Sequence, residues 1–143
     1  MNVLAIQSSG DQTSICAIIK DDIIQYSINH QRKERPNWSK MLLSLGQDSF
    51  FDLEEIDIYA YANNSGSYTA TRSVAAYLKG IASAVSKPLI VIDSDDIDSL
   101  NADEVAKKAL AKYINSNEQA GEFTADKANP IYESIPQYKK INE

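Results

Sequence analysis

Residues 64 to 74, N-S-G-S-Y-T-A-T-R-S-V, place a glycine turn directly after an apolar run and directly before a long helix-forming stretch. That order presents free backbone amides at a helix start, which attract anions. The stretch lacks the lysine and the second glycine of a phosphate-binding loop, so its anion chemistry is weak. A second turn, Ser8-Ser9-Gly10-Asp11, has small residues able to wrap an anion, but Asp11 would repel one and the segment reads as an ordinary hairpin loop. His30 is the single histidine. With no second imidazole it cannot complete a two-histidine metal site, and no G-x-S-x-G elbow presents a serine to it. Beside Gln31, Arg32 and Lys33 it reads as a solvated loop residue. Cys16, the one cysteine, sits in an apolar run, which excludes an intrachain disulfide and makes it a small buried hydrophobe. These residues predict a chain without catalytic, metal-binding or cofactor-binding groups.

The elements that must position these residues are legible from periodicity. Apolar, β-branched runs at 2–7, 13–19 and 23–28 are separated by turn residues and read as a three-stranded meander. Pro36 and Asn37 open a helix whose Trp38, Met41, Leu42 and Leu45 share one face until Gly46. A fourth strand is expected over 56–62, a helix from about Ser67 to Ser86, and a fifth strand over Leu89 to Ile92. From Asn101 a third helix begins, with Asn101 and Glu104 in capping-box spacing and Ala102, Val105, Ala106, Ala109, Leu110, Tyr113 and Ile114 on one stripe. Residues 115–129 are polar and read as a mobile loop before the extended Pro130-Ile131-Tyr132. The order βββ-α-β-α-β predicts an α/β fold: a mixed five-stranded sheet flanked by helices, with helix-connected strands 1, 4 and 5 parallel.

Length and composition narrow the function. A chain of 143 residues, 43% hydrophobic, buries one core, so a single domain is expected over 1–143. The formal charge of −6 leaves no basic stripe to grip a nucleic-acid backbone, so direct nucleic-acid binding by this chain alone is not expected. The opening Met1 to Ile6 has no basic n-region and too short an apolar run for a signal peptide, and no later segment approaches a membrane span. The expectation is a soluble cytoplasmic protein.

Within 64–74, Gly66, Ser67, Thr69 and Arg72 are identical to positions of G-P-G-S-F-T-G-x-R-x-G, and Tyr68 stands for its phenylalanine. That signature belongs to the bacterial TsaB (YeaZ) proteins, non-catalytic partners in making threonylcarbamoyl-adenosine in tRNA, and this chain resembles them. Asn64, Ala70 and Val74 replace three of the signature's small residues. The opening M-N-V-L-A-I-Q-S-S is similar to the family's M-x-I-L-A-I-D-T-S, and Ala128 to Tyr132 resembles the A-x-P-x-Y near the family's C-terminus. The resemblance implies a half-domain of the actin, Hsp70 and sugar-kinase (ribonuclease H-like) plan. Residues 1–93 correspond to the family's N-terminal lobe, residues 94–101 form an acidic link where its second lobe would stand, and 102–143 form a C-terminal helix and tail packing on the same lobe. The superfamily's strand-one aspartate, which helps hold a metal, is Gln7 here, an amide without the charge that Mg²⁺ prefers.

Along the helix after the turn, Val74, Leu78, Ile81 and Val85 form an apolar stripe, while Ser73, Ala76, Gly80 and Ser83 form a stripe of small residues that lets another helix approach closely. Either the Trp38 helix of the same chain covers this stripe or a partner does. Trp38 likewise reads as a core residue or an interface anchor. The resemblance implies that these two helices pair with two helices of a TsaD-like subunit in a heterodimer, which names Trp38, Met41, Tyr68, Arg72, Ser73, Ala76, Gly80 and Ser83 as contact residues. It further implies that ATP use belongs to a TsaE-like ATPase reached through the complex. A homodimer through the same face, in a protein that has left the pathway, is the alternative.

Overall fold

The computed structural model describes residues 1–9, 11–31, 37–47, 49–63, 68–93, 101–117 and 119–129, with Tyr68 and Ala120 described by their backbone alone. Five strands, β1 (Val3–Ser8), β2 (Gln12–Ile19), β3 (Asp22–Asn29), β4 (Ile58–Asn63) and β5 (Leu89–Asp93), form one sheet in the order β3-β2-β1-β4-β5. β1 pairs antiparallel with β2 and parallel with β4, and β4 pairs parallel with β5. The sheet is the mixed five-stranded one expected. β1 and β4 are buried along their whole length, so they read as continuous apolar runs rather than as alternating ones.

Each face has its own helical cover. α1 (Trp38–Leu45) and α2 (Tyr68–Val85) lie on the face carrying Leu4, Ile6, Ile15, Tyr59 and Tyr61. α3 (Ala102–Asn115) lies on the other, over Val3, Ala5, Cys16, Ile58 and Ile90, through Ala102, Val105, Ala106, Ala109 and Tyr113. α1 starts where its sequence says: the Asn37 side chain accepts from the Lys40 amide at 3.1 Å. It stops at Gly46, whose φ of 130° only glycine adopts readily and whose amide closes onto Leu42 and Leu43.

Three local expectations are corrected. β4 begins two residues late because Ile56 is tied back to Leu53 by a short 3-10 turn, Leu53–Glu55. The capping box at α3 is not formed, since the Asn101 side chain makes no capping bond. Instead the Ala102 amide donates to Ser14 Oγ at 3.0 Å, so a hydroxyl from β2 satisfies the helix start inside the core. Finally, the polar stretch after α3 is not a free loop. It folds into 3-10 turns at Ala120–Phe123 and Ala125–Lys127. Phe123 packs beside Tyr113 on the α3 face, while Ala125 and Ala128 are buried on the α2 face. The segment therefore wraps around the β5 edge of the sheet, held by the Tyr61 hydroxyl donating to the Ala128 carbonyl at 3.0 Å. The acidic link, the turn at 64–67 and Pro130 to Tyr132 lie outside the described residues.

Candidate functional site

α2 separates its residues cleanly by face. Thr71, Val74, Ala75, Leu78 and Ala82 are buried against the sheet, and Ile81 and Val85 are half-buried beside them. Arg72, Ala76, Gly80 and Ser83 are exposed and Ser73 is half-buried, so the small-residue stripe points away from the core. A Cβ built on Gly80 meets no heavy atom within 4 Å. The same-chain helix therefore does not cover this stripe at its glycine. Between Ile58 and Ile92 the sequence holds Arg72, Lys79 and Lys87 and no acidic residue, in a chain of net charge −6. The stretch that contains α2 thus carries a net positive charge within an acidic chain, with Asp126 near the C-terminal end of that helix.

Trp38 and Met41 are placed differently from Arg72 and the small residues. They are 8% and 3% exposed and belong to the core under α1. Trp38 stacks on Tyr77 of α2, with ring centroids 5.8 Å apart and planes 30° from parallel. Tyr77 also bonds Ser39, and burial raises its phenol pKa despite that bond. Tyr77 was not singled out by the sequence reading, because a tyrosine inside an apolar stripe carries no local mark of its partner. The two helices are joined through this aromatic pair, which fixes α2 relative to α1 and leaves the small stripe free. Of the eight residues expected at an interface, Arg72, Ser73, Ala76, Gly80 and Ser83 share one outer surface. Trp38 and Met41 support it from below, and the Tyr68 side chain lies outside the described residues.

The stripe runs at its C-terminal end into a cleft of about 450 Å³ between α2 and the 120–127 turns, lined by Ser83, Ser86, Lys87, Gly121, Thr124 and Asp126 among others. Thr124 and Lys127 hold the exposed Asp126 carboxyl below its ordinary pKa, with the Thr124 contact the larger cause. This cleft was missed from sequence because one wall belongs to the segment read as a loop. Lys79 bonds the Asn129 side chain and ties that wall to α2.

The groups at the end of β1 are closed off. Gln7 is 2% exposed, and neither its amide nitrogen nor its amide oxygen has a hydrogen-bond partner. Its position next to Val3 and Ala5 in the strand alternation puts it on the α3 face, opposite Ser14. His30 is not a free solvated residue. Its Nε2 meets Thr13 Oγ1 at 2.8 Å and Thr13 Oγ1 meets Ser8 Oγ at 2.9 Å, while Nδ1 donates to the Gln31 carbonyl at 2.9 Å. With Nδ1 holding the proton, Nε2 accepts from Thr13. Ser8 and Thr13 are buried, so this relay closes the sheet end and offers no nucleophile to solvent. Burial, reinforced by Asp103, pushes the Cys16 thiol from 9.0 up to about 12, which makes it inert at neutral pH. Among the described residues no group of three or more His, Cys, Asp or Glu side chains is placed to hold a metal ion, and no helix is long and apolar enough to cross a membrane.

No family model matches this chain, and no curated protein matches it. Solved structures do. YeaZ from Pseudomonas aeruginosa matches with a TM-score of 0.59 and 18% identity, over 64% of this chain and 43% of its own. The structure of an uncharacterized protein with similarity to peptidase YeaZ from Pseudomonas aeruginosa matches with the same TM-score, identity and coverage. The chain spans less than half the length of these neighbours, and at this identity the likeness is one of fold: a YeaZ-like α/β half-domain.

Proposed function

We propose that this chain is a TsaB-related, non-catalytic scaffold whose α2 outer face binds a TsaD-like subunit of a tRNA threonylcarbamoyl-adenosine complex. One observation carries the reading: Ser73, Ala76, Gly80 and Ser83 form a line of small side chains that the chain's own core leaves uncovered, with open space around Gly80. Small residues bring two helix axes close enough for backbone and side-chain packing along their length. The exposed Arg72 flanks the line and favours an acidic or neutral partner face. Trp38 and Met41 act by positioning, since they hold α1 and α2 at a fixed separation through the Tyr77 stack.

The mechanism is binding. A rigid pair of helices docks onto the partner and favours its active arrangement, while the transfer to tRNA and the use of ATP reside in other subunits. The buried Gln7 and the closed Ser8-Thr13-His30 relay are consistent with a subunit that performs no chemistry of its own. The test is co-expression with the TsaD-like protein of the same organism, followed by size-exclusion chromatography with light scattering. A stable heterodimer is expected. A chain that elutes apart from that protein at micromolar concentration refutes the proposal and leaves self-association through α2 as the alternative.

A further inference from the structure

The two edges of the sheet are treated differently. At β5 the 119–129 segment runs alongside the edge, and Lys112 Nζ donates to the Val91 carbonyl. At β3 no described residue pairs with the outer side. That edge is eight residues long, and from Ile23 to Asn29 it holds no charge, proline or glycine. Such strands usually carry a charge, a proline or a bulge to prevent pairing. Two of its side chains, Ile23 at 49% and Tyr26 at 37% exposure, are among the large apolar groups that the surface leaves in water.

Which backbone groups are free follows from the β2–β3 register. The His30 amide donates to the Asp11 carbonyl, so the even-numbered residues of β3 turn their backbone toward β2. Ile23, Gln25, Ser27 and Asn29 therefore turn both backbone groups outward. A second strand can use them only in a register that pairs odd with odd. We infer that β3 is the dimerisation edge of this protein, pairing antiparallel with β3 of a second copy about a two-fold axis at Tyr26.

In that register the strand is complementary to itself, as an isologous contact requires. Ile23 meets Asn29 and Gln25 meets Ser27, which matches free backbone with free backbone. Ile24 meets Ile28, and both already pack on the α1-side core, so the apolar layer continues across the junction. Tyr26 meets Tyr26 at a non-hydrogen-bonded position, where cross-strand side chains lie closest. Asp22 at one end lies opposite His30 at the other, whose ring nitrogens are already engaged by Thr13 and Gln31, so the carboxylate stays at the solvated rim of the contact. Shifting the axis by one residue keeps odd opposite odd but sets the Asp22 carboxylate against Ile28 and breaks the Ile24–Ile28 pairing. A second copy is thus the occupant that this edge fits, and the contact is separate from the α2 face.

The test uses the full chain and light scattering across a concentration series. Wild type is expected at about twice the 15.8 kDa of one chain, and so is Gly80→Leu, since the α2 face is not involved. Ser27→Pro removes an outward amide and no β2 bond, and Tyr26→Lys sets two cations at the axis; each is expected to give a monomer with unchanged circular dichroism. Tyr26→Cys is expected to form a disulfide-linked dimer on mild oxidation, with the buried Cys16 unreactive. A wild-type monomer overturns the inference, and protected Ile23, Gln25, Ser27 and Asn29 amides in that monomer would show that another part of the same chain covers the edge. A dimer indifferent to both Ser27→Pro and Tyr26→Lys overturns it as well.

Discussion

Gly80 separates the surface reading of α2 from a packing reading, because the two predict opposite signs. Gly80 lies inside an 18-residue helix, where glycine costs about 0.5–1 kcal/mol relative to alanine through backbone entropy alone. A methyl group added there meets nothing within 4 Å, so no clash offsets the gain. Gly80→Ala is therefore expected to stabilise the isolated chain by about 0.8 kcal/mol. In urea denaturation followed by circular dichroism this moves the midpoint up by about 0.5 M, taking a slope of about 1.5 kcal/mol/M. Gly80→Leu should keep most of that gain, as leucine is nearly as good a helix former. Binding should respond in the opposite direction. A leucine projecting from a line meant for close helix approach holds the partner's axis away, and titration with the TsaD-like subunit should show affinity reduced at least about 100-fold, or about 2.7 kcal/mol. Loss of stability in Gly80→Ala would refute the claim that this face is uncovered. A stabilised Gly80→Leu that binds like wild type would refute the claim that the face is the interface.

Other expectations concern the interior. Ser14→Ala leaves the Ala102 amide without its partner at the buried start of α3, and should cost about 1–2 kcal/mol in the same urea assay. Gln7→Met removes an amide that is buried without partners and keeps nearly its volume; it should be neutral or stabilise by about 1 kcal/mol, whereas a marked loss would mean that the amide has a use. Because the folded Cys16 thiol titrates near 12 and the unfolded one near 9.0, the unfolded state gives up its proton first as pH rises. The stability this group confers is complete below pH 9 and declines between 9 and 12, at up to about 1.4 kcal/mol per pH unit, and Cys16→Ala should flatten that slope in thermal melts. Native protein at pH 8 should also resist a thiol reagent that labels it fully in denaturant.

How far the sequence could be read depended on whether the relevant signal was local. The strands and helices were legible because periodicity and turn residues are local properties: Asn37 caps α1 and Gly46 ends it as their types dictate. The small-residue pattern on α2 was legible for the same reason, but whether the Trp38 helix covers it was not. What it meant for Trp38 was not, because stacking on Tyr77 joins residues 39 positions apart and no spacing rule links them. The start of α3 shows the same limit. Asn101 and Glu104 have the right spacing for a cap, yet a hydroxyl 88 residues away supplies the bond. Tertiary partners override local ones wherever burial makes a distant group the nearer one. The wrapped segment at 119–129 was hidden for a related reason, since its apolar contacts with the core among the described residues come from Phe123, Ala125 and Ala128, scattered between polar residues that read as solvent-facing.

The five-stranded sheet has two faces and two edges to cover. α1 and α2 cover one face, and α3 covers the other through alanines small enough to sit close to the strands. This accounts for the place of α3: without it Val3, Ala5, Ile58 and Ile90, all fully buried, would face water. The 119–129 segment runs alongside the β5 edge. Among the described residues β3 is the edge that no segment pairs, and its stretch from Ile23 to Asn29, free of charge, proline and glycine, is the kind that a second copy satisfies. The small stripe of α2 is then a surface of a different kind. It is a helical face kept clear by residues that cost the helix stability, and the cost is understandable if the helix must bring a partner's backbone close. Two uncovered features with different chemistry, one of backbone hydrogen bonds and one of small side chains, suit two different partners. The β3 edge suits an identical chain, and the α2 face suits the helical partner proposed for it.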